Sequence, residues 1–132
     1  METISAVLFA WAISLSGYAA GPEPLVARVS HQTLIDGACF GRECRVMGWF
    51  PPGNTVYVDD RLDFERNTYH ASVLLHEQVH FLQQQSGRWQ QPYRCADLIT
   101  MEREAYAAQS AYLVAYGIYQ PVGVSMHGAG CQ

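Results

Sequence analysis

The sequence has no lysine: its eight basic residues are all arginines, set singly along the chain against twelve acids for a formal charge of −4. No basic stripe results. Nucleic acids and anionic membrane surfaces are bound through clustered cations that neutralise phosphate, so neither is an expected partner. Charge of any sign is scarce, at 15% of residues, whereas 49% are hydrophobic. Disordered chains show the opposite balance, so this one is expected to fold. Long apolar runs are also lacking. The longest, Ile4 to Leu15, falls short of the roughly 20 residues that cross a bilayer. There is no internal repeat or low-complexity tract, and 132 residues leave room for one domain, since domains usually run to roughly 100–150 residues.

The Ile4–Leu15 run is followed by Gly17-Tyr18-Ala19 and by the breaker Gly21-Pro22-Glu23-Pro24. This is the pattern of a secretory signal peptide, with small residues at Gly17 and Ala19 ahead of a cleavage after Ala19. The segment before the run holds Glu2 and no Lys or Arg, and the alternative is a buried N-terminal helix or an uncleaved anchor. Residues 1–19 are thus expected to be a signal peptide and residues 20–132 a single domain. The mature protein would be secreted or periplasmic, without a stable membrane span. An even count of four cysteines agrees with an oxidising compartment. Cys39 and Cys44 enclose a turn-length loop and Cys95 and Cys131 remain, which favours the pairs 39–44 and 95–131. The cysteines lack the paired CxxC spacing of a structural zinc site.

Along the chain, Pro24 to Ile35 is a mixed stretch with a short helix ending near Asp36-Gly37. Arg45 to Phe50 and Thr55 to Val58 flank the turn signal Pro51-Pro52-Gly53-Asn54 and read as a hairpin. Tyr69 to Gln85 has helical length and stops at Gly87. A second helix runs from about Ala96 to Tyr116, with Leu98, Met101, Ala105, Ala108, Tyr112 and Ala115 in one stripe and Gly117 as its end. The glycine-rich tail would be tied down by Cys131 alone. The expected architecture is α+β: a small antiparallel sheet packed on two long helices.

The chemistry lies in His76-Glu77-Gln78-Val79-His80. Histidines four apart on a helix share a face, with Cβ atoms about 5–6 Å apart, so both imidazoles can reach one ion. A zinc ion takes such nitrogens at about 2.0–2.1 Å and in a catalytic site keeps a position open for water. Glu77 then stands beside that water as general base. The flanks Val73-Leu74-Leu75 and Phe81-Leu82 are apolar; unpaired, two imidazoles and a carboxylate there would cost roughly several kcal/mol, which a metal offsets. The third ligand is offered by Glu102 or Glu104 on the second helix. Periodicity does not choose between them, because they flank the apolar stripe on opposite sides. Ala105, Ala107, Ala108 and Ala111 allow the two helices to approach closely.

Through Leu75-His76-Glu77-Gln78-Val79-His80-Phe81 and the later Glu102-Arg103-Glu104-Ala105-Tyr106, the chain resembles the zincin metallopeptidases with a glutamate third ligand, the gluzincins. Within that group it looks like small exported bacterial proteins with similar segments. The resemblance covers Val46 to about Tyr116 and implies a minimal zincin-like domain with one Zn2+, acting on a peptide or protein substrate. Glu102, three residues before Ala105, fits the group's pattern. Tyr106 stands where the group has an aspartate, which keeps Glu104 open as ligand. The resemblance also makes Thr55 to Val58 the edge strand to which an extended peptide adds. Oxyanion stabilisation needs a further donor, for which Tyr106, Tyr112 and His127 are the candidates. His31 and His70 have no ligand spacing and receive no role, Trp49 and Trp89 are read as packing, and Gln83-Gln84-Gln85 as a solvated helix end. The competing function is a non-catalytic zinc-binding module that keeps the site for stability.

Overall fold

The computed structural model describes residues 2–131; the end residues Met1 and Gln132 of the two expected segments lie outside them. The fold is α+β. In order come α1 (Ile4–Ser16), β1 (Leu25–Val29), α2 (His31–Ala38), β2 (Gly48–Trp49), β3 (Thr55–Asp59), α3 (Thr68–Ser86), α4 (Cys95–Ala115) and a 3-10 turn (Val124–Met126). Helix α3 contacts α1, α4, β2 and β3, so it is the element around which the rest is arranged.

Helices α1, α2 and α3 each begin where the sequence supplies a side-chain acceptor for the free backbone N–H groups of the first turn. Asn67 Oδ1 accepts from His70 N at the start of α3, Ser30 Oγ from Thr33 N at α2, and Thr3 Oγ1 from Ala6 N at α1. Helix α3 ends at Gly87, in the left-handed region that glycine adopts without steric cost.

The expected hairpin is present but short: only Gly48–Trp49 pairs, antiparallel with Tyr57 and Val58 of β3, and residues 45–47 are loop. The sheet is mixed and not purely antiparallel. β1 pairs in parallel with β3, from Leu25 opposite Thr55 to Val29 opposite Asp59. This strand lay within the stretch read as mixed. Its residues are partly exposed on both faces, so it carries no sustained alternation, and Pro22 and Pro24 beside it read only as a breaker. The strand order β1-β3-β2 puts β3 in the middle, so the Thr55–Val58 segment is not an edge; β2 is. Val56 and Val58 of β3 are fully buried against Leu74, Leu75 and Val79 of α3.

In the full chain the apolar N-terminal run is a core helix. Leu8, Phe9 and Ala12 of α1 are buried, Phe9 meets Phe81 edge-on with ring centroids 6.1 Å apart, and Trp11 meets Tyr112 at 5.5 Å. Gln78 of α3 reaches across to donate its amide to Ser5 O at 2.9 Å. Leu8 is fully enclosed, so Leu8→Ala is expected to lower the unfolding free energy by about 2–5 kcal/mol. Urea unfolding of the two chains measures it, and equal midpoints would mean that α1 does not belong to the folded unit. Among the described residues no helix is long and apolar enough to cross a membrane. Disulfides join Cys39 to Cys44 and Cys95 to Cys131, an arrangement consistent with an extracellular or periplasmic protein.

Candidate metal centre

Helix α3 presents His76 and His80 on one face, and α4 crosses it so that Glu102 faces both. Two pairs of buried alanine and aliphatic positions permit that crossing: Ala105 and Ala108 of α4 lie in the same cluster as Leu75 and Val79 of α3. His76 Nε2 and His80 Nε2 are 3.2 Å apart, and His76 Nε2 is 3.4 Å from Glu102 Oε1. His80 Nε2 and Glu102 Oε1 are in direct contact. Donors at about 2.0–2.1 Å from a tetrahedral zinc ion would themselves be separated by roughly 3.3–3.4 Å, which the separations of His76 Nε2 from His80 Nε2 and from Glu102 Oε1 approach. His76, His80 and Glu102 form the one group of metal-binding donors found among the described residues, and it can hold a metal ion.

The tautomer of each histidine follows from a glutamine behind it. Gln83 Nε2 donates to Met101 O at 2.8 Å and Glu104 Oε1 at 3.1 Å, which turns its carbonyl oxygen to His80 Nδ1 at 2.8 Å. Ser72 Oγ donates to Tyr69 O and accepts from Gln109 Nε2, which turns Gln109 Oε1 to His76 Nδ1 at 2.9 Å. An amide oxygen only accepts. Both Nδ1 atoms therefore carry a hydrogen, which leaves Nε2 of each ring as the atom an ion would take once a proton shared with Glu102 is displaced, the arrangement that outer hydrogen bonds impose on metal-binding histidines. Neither glutamine was legible as functional. Gln83 read as solvated helix end, yet it is almost fully buried, as is Gln109; Gln84 is also engaged, bonding Gly53 N and O.

Glu77 is buried at 8% exposure and is not one of the three donors. The strand β2 passes directly over it: a Cβ at Gly48 would stand 2.8 Å from Glu77 Cγ, so only glycine lets the backbone come this close. Burial pushes the Glu77 carboxyl up from its ordinary value, with the Glu102 charge adding and the two histidines opposing. Burial disfavours charge on His80, but the carboxylates of Glu102 and Glu77 outweigh it and raise its pKa to about 9. Burial likewise opposes charge on Glu102, and the hydrogen bonds from His76 and His80 overcome it and hold that carboxyl well below the usual range. Two carboxylates and two imidazoles in a mostly enclosed place thus favour a cation among them.

These groups open onto a cleft of about 800 Å³. Its walls are the β2 edge with Phe50 and Pro51 on one side, and Tyr93, Leu98 and Met101 on the other. Tyr106 lies in it, its ring 4.5 Å from that of His76. The tail holds Tyr106 there: Gly123, at φ 72°, lies so close that a Cβ would stand 2.7 Å from Tyr106 Cγ. Cys131 is therefore not the tail's only attachment.

Three expected site residues lie elsewhere. Glu104 points off the other flank of the α4 stripe, where its carboxylate takes hydrogen bonds from Tyr18, Gln83 and Arg88, so it stands outside the three converging donors. Tyr112 is in the core between Trp11 and Tyr116, its hydroxyl pushed up to about 12, first by burial. His127 is pinned near α4 by the Cys95–Cys131 link, but it lines a separate depression with Arg103, Ala107 and Ser110. Of the three oxyanion candidates Tyr106 alone lines the cleft.

Comparison of the chain with protein-family models, with curated proteins and with solved structures returns no match.

Proposed function

We propose that this chain is a zinc-dependent amide hydrolase of the gluzincin type, acting on peptides in an oxidising compartment outside the cytoplasm. The observation that carries the reading is a buried carboxylate, Glu77, beside three converging donors in which it takes no part, with all four open to one cleft. A structural ion site has no need of such a group. A zinc ion bound by His76, His80 and Glu102 would supply a Lewis acid and lower the pKa of water toward about 7. Glu77 would accept the proton of the attacking water and hand it to the departing amine. Tyr106 would donate its O–H to the oxygen that gains charge. The free edge of β2, next to Glu77, would pair with the backbone of an extended peptide, and the apolar walls around Phe50, Leu98 and Met101 would take its side chains.

A second reading has its own support. His76 and His80 come from one helix and Glu102 from another, so an ion there would also cross-link α3 to α4, which suits a non-catalytic module stabilised by zinc. The test is removal and return of the metal. Protein dialysed against a chelator is expected to lose hydrolysis of a denatured casein or peptide library and to recover it with one equivalent of zinc. Turnover that survives complete removal refutes the hydrolase mechanism; tight zinc binding with no turnover selects the structural module.

A further inference from the structure

Behind His80 a line of hydrogen bonds leaves the cleft, crosses to α4 and ends in the N-terminal segment. Gln83 is 1% exposed, accepts from His80 Nδ1 at 2.8 Å and donates to Glu104 Oε1 at 3.1 Å. The same Glu104 oxygen accepts from Tyr18 Oη, and Glu104 Oε2 accepts from Arg88 Nη1 at 2.9 Å. A carboxylate can only accept. Glu104 and the backbone carbonyl of Met101, to which Gln83 Nε2 donates at 2.8 Å, together dictate which way the Gln83 amide faces, because turning it over would set carbonyl against carbonyl and carboxylate, and NH2 against the Nδ1–H of His80. Tyr18 in turn holds the Glu104 oxygen toward Gln83. The place of Tyr18 is set by α1, whose Gly17 cap immediately precedes it and whose Leu8, Phe9 and Ala12 are buried in the core.

We propose that Glu104 and Tyr18 are positioning residues for His80, so that the N-terminal segment through Tyr18 is a working part of the metal centre. The inference rests on the metal reading above. Neither residue touches the ion's place; each acts through Gln83 on the orientation of one ligand. It follows that the functional protein retains residues that cleavage after Ala19 would remove.

The test uses the full-length chain, with zinc affinity from competition against a chromophoric chelator and the visible spectrum of the cobalt form as a readout of ligand geometry. Glu104→Ala is expected to weaken zinc binding by up to roughly 10-fold, the low end of what loss of a direct partner of a metal-bound histidine costs, because Gln83 itself remains. Tyr18→Phe should weaken it less, and both should shift the cobalt bands. The double variant should be no weaker than Glu104→Ala alone, because the two act along one path. Glu104→Gln, which keeps an acceptor oxygen for Gln83 and Tyr18, should recover most of the affinity. A merely structural role would lower the melting temperature and leave the cobalt spectrum alone. Should Glu104→Ala fail to fold, Tyr18→Phe, which removes one hydroxyl, decides the matter by itself. The proposal is overturned if the parent chain binds zinc and Tyr18→Phe keeps its affinity and cobalt spectrum, if the two losses simply add, or if the active protein is found by intact mass to begin after Ala19. A parent chain that binds neither zinc nor cobalt overturns the metal reading itself.

Discussion

Glu77→Gln is expected to keep the parent chain's zinc content and to lose turnover by roughly 10²–10⁴-fold, the usual contribution of a positioned acid or base. The substitution preserves shape, which matters because Gly48 and β2 leave no spare room above the side chain. It also leaves the donor set intact, since His76, His80 and Glu102 are the three groups that converge. What it removes is the capacity to take up a proton. Metal analysis and hydrolysis rates on the same preparations separate the two properties. A variant with full metal and full activity would eliminate Glu77 as the base and leave the cleft without an evident one.

Glu102→Ala should act on the other property. It deletes one of three donors and leaves two imidazoles facing a gap, so zinc affinity should fall beyond the roughly 10–100-fold that loss of an outer partner costs. Binding also reports on stability. A ligand that binds only the folded chain adds about 2.7 kcal/mol at 100 times its dissociation constant, so the parent's melting temperature should rise with added zinc while that of Glu102→Ala should not respond. Calorimetric titration and paired melting curves measure both. Retained affinity in this variant would mean that the ion, if bound, is held by other groups.

The two histidines and Glu77 were legible because helical spacing alone puts positions 76 and 80 on one face, whatever the surrounding fold. The choice between Glu102 and Glu104 was not. Both flank the same stripe at similar angles, and what separates them is remote in sequence: Tyr18 and Arg88 claim Glu104, while α3 turns both histidines to Glu102. Gln83 and Gln109 escaped notice because an amide carries no charge or metal-binding signature, and its role depends on which neighbour it meets. The α1 segment was open to two readings for a physical reason too. A helix apolar on every side suits export as well as it suits a core, and in the full chain it packs on α3 and α4. Tyr112 and His127 were candidates by residue type, as possible proton donors, and residue type does not fix position. Phase gives the face of a helix, not the neighbour it meets, and that neighbour is Trp11 for Tyr112. β1 is a five-residue strand whose pairing partner lies beyond a helix and a hairpin turn, so nothing local announced it.

The donors, the amides behind them and Tyr106 all belong to the helical pair between His76 and Gln109, whereas the opposite wall of the cleft is contributed by the stretch around Gly48 to Pro51. On the proposed reading, the groups that react sit on the helical pair, while part of the fit falls to a separate portion of the polypeptide. Apart from Gly48 itself, that wall can drift in sequence, altering what is admitted, while the machinery facing it stays unchanged.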